Sequence, residues 1–181
     1  MTAASPLPDA TQQRLAQLDA WVQAGWLRPL DHAFAGFLAR EAPDADPLLL
    51  LAAALASHQL GRGHVCLDLA ATLADAAETL AIPPEDETDA PEAPLAVTPA
   101  TLLAGVRLPR WQAALRHPRL VGDGPGSSPL VLVGARLYLR RYWQHERSVR
   151  DAIAQRLALP DTLPGASLHG LRQALDALFP W

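Results

Sequence analysis

The segment Ser57 to Cys66, SHQLGRGHVC, places His58, His64 and Cys66 within nine residues. Imidazole and thiolate both bind zinc. A structural zinc site takes four such ligands, and a catalytic one takes three with a carboxylate base close by. No second Cys and no paired His follows here. The blander reading is a tight glycine turn flanked by hydrogen-bonded histidines and a buried thiol, and no metal ligand is assigned. Gly61-Arg62-Gly63 is a poor phosphate loop, because a Walker A motif needs a Lys after its glycine turn and all fifteen basic residues are arginine. The same absence removes Schiff-base chemistry and a lysine general base. Ser127 and Asp123 could join a histidine on paper as a hydrolase triad, but the sequence has no GxSxG elbow. No catalytic residue is assigned.

The stretch RLYLRRYWQHERSVR mixes Arg136, Arg140, Arg141 and Arg147 with Tyr138, Tyr142 and Trp143. Aromatic rings beside arginines can stack on single-stranded bases, so Arg136, Arg140, Arg141, Trp143 and Arg147 form one candidate nucleic-acid contact. The competing reading is a hairpin with Leu137 and Leu139 facing a core, Trp143 packed where a helix starts, and the arginines solvated. The net charge of −4 does not by itself advertise a nucleic-acid partner.

A second constellation is apolar. Trp21, Trp26, Leu27, Phe34, Phe37 and the run Leu48 to Leu51 crowd into a short stretch, more than a small bundle easily buries. Phe34, Phe37 and the leucines are expected in the core. Trp26 follows Gly25 at a helix end and is expected at the surface. Trp21, Trp26, Leu27 and Arg28 are therefore the candidate partner-binding residues, since tryptophan is over-represented at the energetic centres of interfaces.

The elements that must position these groups are mostly helices. Leu15, Leu18, Trp21 and Val22 recur at helical spacing over 11–24, with Gly25 as the stop. Pro29 opens a second helix with Leu30, Phe34, Phe37 and Leu38 on one face and Asp31 in its first turn. Asp46-Pro47 is an N-cap followed by Pro at the first helical position. It opens a helix over 48–59 that is apolar all round and so belongs at the centre of a bundle. The spacing predicts extended chain over 64–68 and one helix over 69–81. Residues 82–97 interleave prolines with five carboxylates and read as a solvated linker. Thr98-Pro99 opens a short helix through Leu103, and Trp111 to Arg116 suggests another. Leu130 to Val133 and Leu137 to Tyr142 flank Gly134-Ala135 as a hairpin with a two-residue type II′ turn. A helix follows over 143–159, with Val149, Ile153 and Leu157 in line and Glu146 four residues before Arg150. Ser167 caps a last helix with Leu168, Leu171, Leu175 and Leu178 turned inward. The expected fold is mainly α: a small helical bundle with a short β-hairpin near residues 130–142. Its organisation is a bundle over 1–81, a linker over 82–97, and a hairpin with helices over 98–181. A single Cys fits a reducing compartment, and the N-terminus lacks a signal-peptide pattern. The apolar run Leu48 to Ala56 is far short of the ~20 residues of a membrane span. A cytoplasmic protein with no membrane partner is expected.

Four segments, in order, resemble the N-terminal part of RecD, the alpha subunit of exonuclease V (RecBCD). Arg28-Pro29-Leu30-Asp31 is similar to the family's RPLD. Ala52 to His58 and Gly63 to Leu67 are similar to its AAALxSH and GHVCL segments. Pro129 to Glu146 resembles its PLVLxGxR strand followed by LYLxRxWxxE, and Leu178-Phe179-Pro180 its closing LFP. The resemblance runs from Trp21 to Pro180 and is weakest over 70–128. It implies a subunit of a complex that unwinds and degrades duplex ends for recombinational DNA repair. In that complex RecD is a 5′-to-3′ helicase whose motor domains bind ATP and Mg²⁺. The N-terminal domain implied here holds no cofactor and no activity of its own. It contacts RecC, through it RecB, and DNA only through the complex. Two readings stand: a protein-docking domain, and a single-stranded DNA contact over 136–147.

Overall fold

A computed structural model describes residues 7–82, 97–159 and 167–179. The chain forms two compact units, Met1–His145 and Glu146–Trp181.

The first unit is a helical bundle on a small sheet. Helix α1 (Asp9–Gln23) turns Leu18 and Trp21 inward. It ends at Gly25, whose φ of +77° is the left-handed conformation that closes many helices at little cost to glycine. Helix α2 (Pro29–Glu41) starts with Pro29 in its first turn and Asp31 reaching back to the Arg28 N–H. Helix α3 (Pro47–Gly61) is capped by Asp46 Oδ1, which accepts from Leu48 N at 2.8 Å. Every residue from Leu49 to Ser57 is buried, as expected of a helix with no polar face. Strand β1 (Leu67–Asp68) follows.

The single helix expected over 69–81 is two, α4 (Leu69–Ala74) and α5 (Ala76–Leu80). Asp75 breaks it, because its extended backbone lets its carboxylate cap Glu78 N at 2.9 Å. An Asp competes with helix continuation by bonding the backbone locally. Helix α6 (Pro99–Leu103) is capped by Thr98, and α7 (Leu108–Ala114) buries Trp111, whose Nε1 donates to Leu48 O at 3.2 Å.

Strands β2 (Val121–Gly122), β3 (Leu130–Val133) and β4 (Arg136–Leu139) complete a sheet of order β1-β4-β3-β2. The expected hairpin is β3–β4, in antiparallel register Leu132↔Leu137, with Gly134 at φ +60° as the first position of a primed turn demands. The sheet gains two strands beyond that hairpin: β1, inside the stretch 64–68 expected to be extended, and β2, which sequence pattern did not reveal. Leu67 pairs with Leu137, and Val121 pairs in parallel with Leu130. Both additions are two residues long, too short to carry an alternating pattern. Through β1–β4 and Trp111–Leu48, the stretches before and after residues 83–96 share one core. The division between 1–81 and 98–181 is therefore not a division of packing. The linker reading of 82–97 falls almost wholly outside the described residues. At its two edges, Ile82 is buried and Val97 O accepts from Trp21 Nε1 at 2.8 Å.

Helix α8 (Arg140–Leu157) starts in the first unit and runs into the second, which also holds α9 (Leu168–Leu178). Ser167 Oγ accepts from Gly170 N at 3.0 Å, so the expected cap is present. Leu168, Leu171, Leu175 and Leu178 do not turn inward. All four are exposed, as are Val149, Ile153 and Leu157. Arg150 bonds Asp151 at 2.8 Å in place of the expected partner Glu146.

Candidate docking surface

The expected surface tryptophan is buried. Trp26 is 8% exposed, Leu27 3% and Trp21 1%. The cause is local. After the left-handed turn at Gly25, Trp26 N and Leu27 N both donate to Trp21 O, at 2.8 and 3.2 Å. That reversal folds the Trp26 ring back beside Trp21, with centroids 6.5 Å apart. Of the four candidate partner-binding residues only Arg28 reaches solvent, and its guanidinium already has partners.

Those partners form a polar lock between α2 and α3. The Asp31 carboxylate has no exposed surface and accepts four hydrogen bonds. Oδ2 takes Arg28 N at 2.9 Å and Nε at 3.2 Å; Oδ1 takes Arg28 Nη2 and Ser57 Oγ, both at 2.7 Å. Arg28 Nη2 also donates to Ser57 O at 2.6 Å. The hydrogen bond to Asp31 raises the Arg28 pKa further above its ordinary value. A Cβ at Gly61 would lie 2.4 Å from the guanidinium carbon, so a side chain there would push the Arg28 head off these bonds. Next along α3, His58 Nε2 meets Leu80 O at 2.9 Å, and Gln59 Nε2 donates to Thr79 O at 2.9 Å. Burial lowers the His58 pKa, opposed by its bond to Leu80 O. The RPLD and SH residues that resembled a family pattern are thus one structural joint. His58 faces α5 and not His64 or Cys66. Among the described residues no group of three or more His, Cys, Asp or Glu could hold a metal ion.

The arginine–aromatic stretch is also drawn into the fold. Arg140 donates from Nε to Ser128 O at 2.7 Å, from Nη1 to Gly124 O at 2.6 Å and from Nη2 to Ser128 Oγ. It staples the 124–128 loop and lies over the Trp143 ring at 5.5 Å. Arg136 pairs with Asp68 at 3.7 Å, and Arg141 reaches His145 at 3.5 Å. Tyr138 is buried, Tyr142 exposed, and Trp143, in the first turns of α8, half-buried. Arg147 belongs to the second unit. Within the first unit the candidate cations point to separate partners, so no row of free guanidinia alternates with exposed rings there.

An apolar surface is left uncovered on α2. Leu30, Phe34, Phe37 and Glu41 recur at steps of four, three and four along one face of the helix. Leu30 is 64% exposed, Phe37 47%, and Phe34 only partly buried. Phe37 was expected in the core; α1 and α3 occupy the other sides of α2, and among the described residues of this unit none encloses it. The stripe runs into a groove of about 530 Å³ between Phe37, Leu38, Pro118, Leu120 and Pro129. Glu41 and Arg119 at its rim pair at 4.0 Å. The Arg140 staple holds the far wall, which includes Ser127 and Ser128. The stripe's spacing was legible in the sequence. The groove was not, since the 118–129 wall carries no motif.

Residues 23–138 match the family described as the RecBCD enzyme subunit RecD, N-terminal domain. Over 153 residues, 84% of its length, the chain is 33% identical to the RecBCD enzyme subunit RecD of Mycolicibacterium smegmatis (strain ATCC 700084 / mc(2)155). It spans 23% of that relative. The polar lock and the α2 stripe lie inside the matched residues.

Proposed function

The chain belongs to the family of RecD N-terminal domains of the RecBCD enzyme, and from that premise we propose that it is a non-catalytic docking domain. It anchors a 5′-to-3′ helicase motor to RecC, and through RecC to RecB, in double-strand-break repair. The observation that carries this reading is the α2 stripe of Leu30, Phe34 and Phe37 running into the Pro118–Pro129 groove. Contiguous exposed apolar surface with a polar rim is characteristic of protein interfaces. Phe37 fits the role of central anchor, since large side chains near the middle of a patch carry most binding energy. The lack of any lysine supports a chain without its own P-loop. ATP and Mg²⁺ belong to the motor in this reading. DNA is reached only through the complex, because Arg140 is already bonded to the 124–128 loop.

The test is binding of purified RecC from the same organism to the 181-residue chain, wild type and Phe37→Glu. The wild type is expected to bind and Phe37→Glu to lose at least about tenfold, or 1.4 kcal/mol, at an unchanged urea midpoint. A wild-type chain that ignores RecC refutes the proposal. If it then retains single-stranded DNA in a way that Arg141→Glu abolishes, the nucleic-acid reading takes its place.

A further inference from the structure

The second unit has no core among its described residues. Neither α9 nor the part of α8 beyond His145 contains a buried residue. Val149, Ile153 and Leu157 nevertheless recur every four residues on α8. On α9, Leu168, Leu171, Leu175 and Leu178 recur at steps of three, four and three, with His169, Gln173 and Asp176 on the opposite side. An isolated helix shorter than ~12–15 residues is marginal in water, and its stability normally comes from packing an amphipathic face. The eleven residues of α9 therefore require a cover.

The family relationship narrows what that cover is. The N-terminal-domain match stops at residue 138, before this unit begins. An alignment of 153 residues within a chain of 181 must reach at least residue 153, inside α8, yet it spans only 23% of the M. smegmatis RecD. The first part of the α8 stripe, Val149 and Ile153, thus lies on sequence that aligns with RecD past the end of the domain match. A second copy of this chain is a poor occupant. A two-stranded coiled coil between copies is argued by apolar heptads sustained over at least ~3–4 repeats, and α9 holds fewer than two.

We infer that the apolar stripes of α8 and α9 are a seat for the part of the RecD polypeptide that follows the N-terminal domain in this family. They fix that part to the docking domain within one subunit. The inference uses the family assignment and not the contact with RecC.

Hydrogen exchange tests it, comparing the 181-residue chain with the longer RecD polypeptide that carries this domain, purified without RecB or RecC. Amides over 149–157 and 168–178 are expected to exchange rapidly in the short chain and on the order of tenfold or more slowly in the long one. The double substitution Leu171→Glu, Leu175→Glu should abolish that added protection while leaving protection over 49–57 unchanged. Equal protection in both proteins, with the short chain dimeric or not, overturns the inference. So does protection that appears only when RecC is added. Neither result bears on whether Phe37 seats RecC.

Discussion

Asp31→Ala removes the acceptor on which the joint between α2 and α3 depends. The carboxylate has no exposed surface and accepts four hydrogen bonds, three from Arg28 and one from Ser57. Deleting one member of a buried ion pair typically costs about 3–5 kcal/mol, because the other charge is left without compensation. Here the Arg28 side chain is 45% exposed, so water can rehydrate part of the guanidinium, and the lower end, about 3 kcal/mol, is expected. With a urea m-value of about 2 kcal/mol/M, the midpoint falls by about 1.5 M. Asp31→Asn should cost less, about 1.5–2 kcal/mol. Its carbonyl can keep the two bonds at Oδ2, and Ser57 can turn its hydroxyl to accept from the amide, so chiefly the Arg28 Nη2 contact is lost. Ser57→Ala, which removes one donor of the four, should cost about 1 kcal/mol. The measurement is equilibrium urea unfolding of the four proteins, requiring equal m-values. If Asp31→Ala lies within about 0.5 kcal/mol of wild type, the scatter of ordinary surface substitutions, the joint is ornamental and the reasoning fails.

Three further outcomes are expected. The depressed His58 pKa means the folded chain holds this ring neutral while the unfolded chain protonates it below the usual 6.5. Stability should therefore be full above that pH and fall as the pH drops from 6.5 toward the folded pKa. His58→Gln should flatten urea midpoints measured between pH 8 and 5, and an equally steep fall in that variant would refute the assignment. Arg140→Lys should not rescue Arg140→Ala, because a lysine cannot reproduce the guanidinium's three bonds to Gly124 and Ser128. Both should lower stability by about 1.5–3 kcal/mol and speed proteolysis at 124–128, and resistance equal to wild type would show the loop needs no staple. Replacing 83–96 by a Gly/Ser segment of equal length, with Val97 kept for Trp21, should leave thermal unfolding cooperative, since that stretch supplies charge and proline and few core-forming side chains; a broadened transition would show that it packs.

Local chemistry was legible in the sequence because it acts within a few residues. Asp46 before Pro47, Thr98 before Pro99 and Ser167 each cap the helix they precede, and Gly134 sits at the turn its φ demands. The unbroken apolar character of 48–56 placed α3 at the centre, as no other site could accept it. The order of the RPLD, AAALxSH and LYLxRxW segments was enough to identify the family. Tertiary structure decided everything that depends on a distant neighbour. Periodicity shows which face of a helix is apolar but not whether another element arrives to cover it. Trp26 is therefore buried and Phe37 exposed, the reverse of the expectation, and the leucines of α9 face outward. Charge pattern likewise shows that Arg140 carries a cation, but not that a loop twelve residues earlier supplies its acceptors. Asp31 and Ser57 are twenty-six residues apart, and only the packing of α2 on α3 makes them one site.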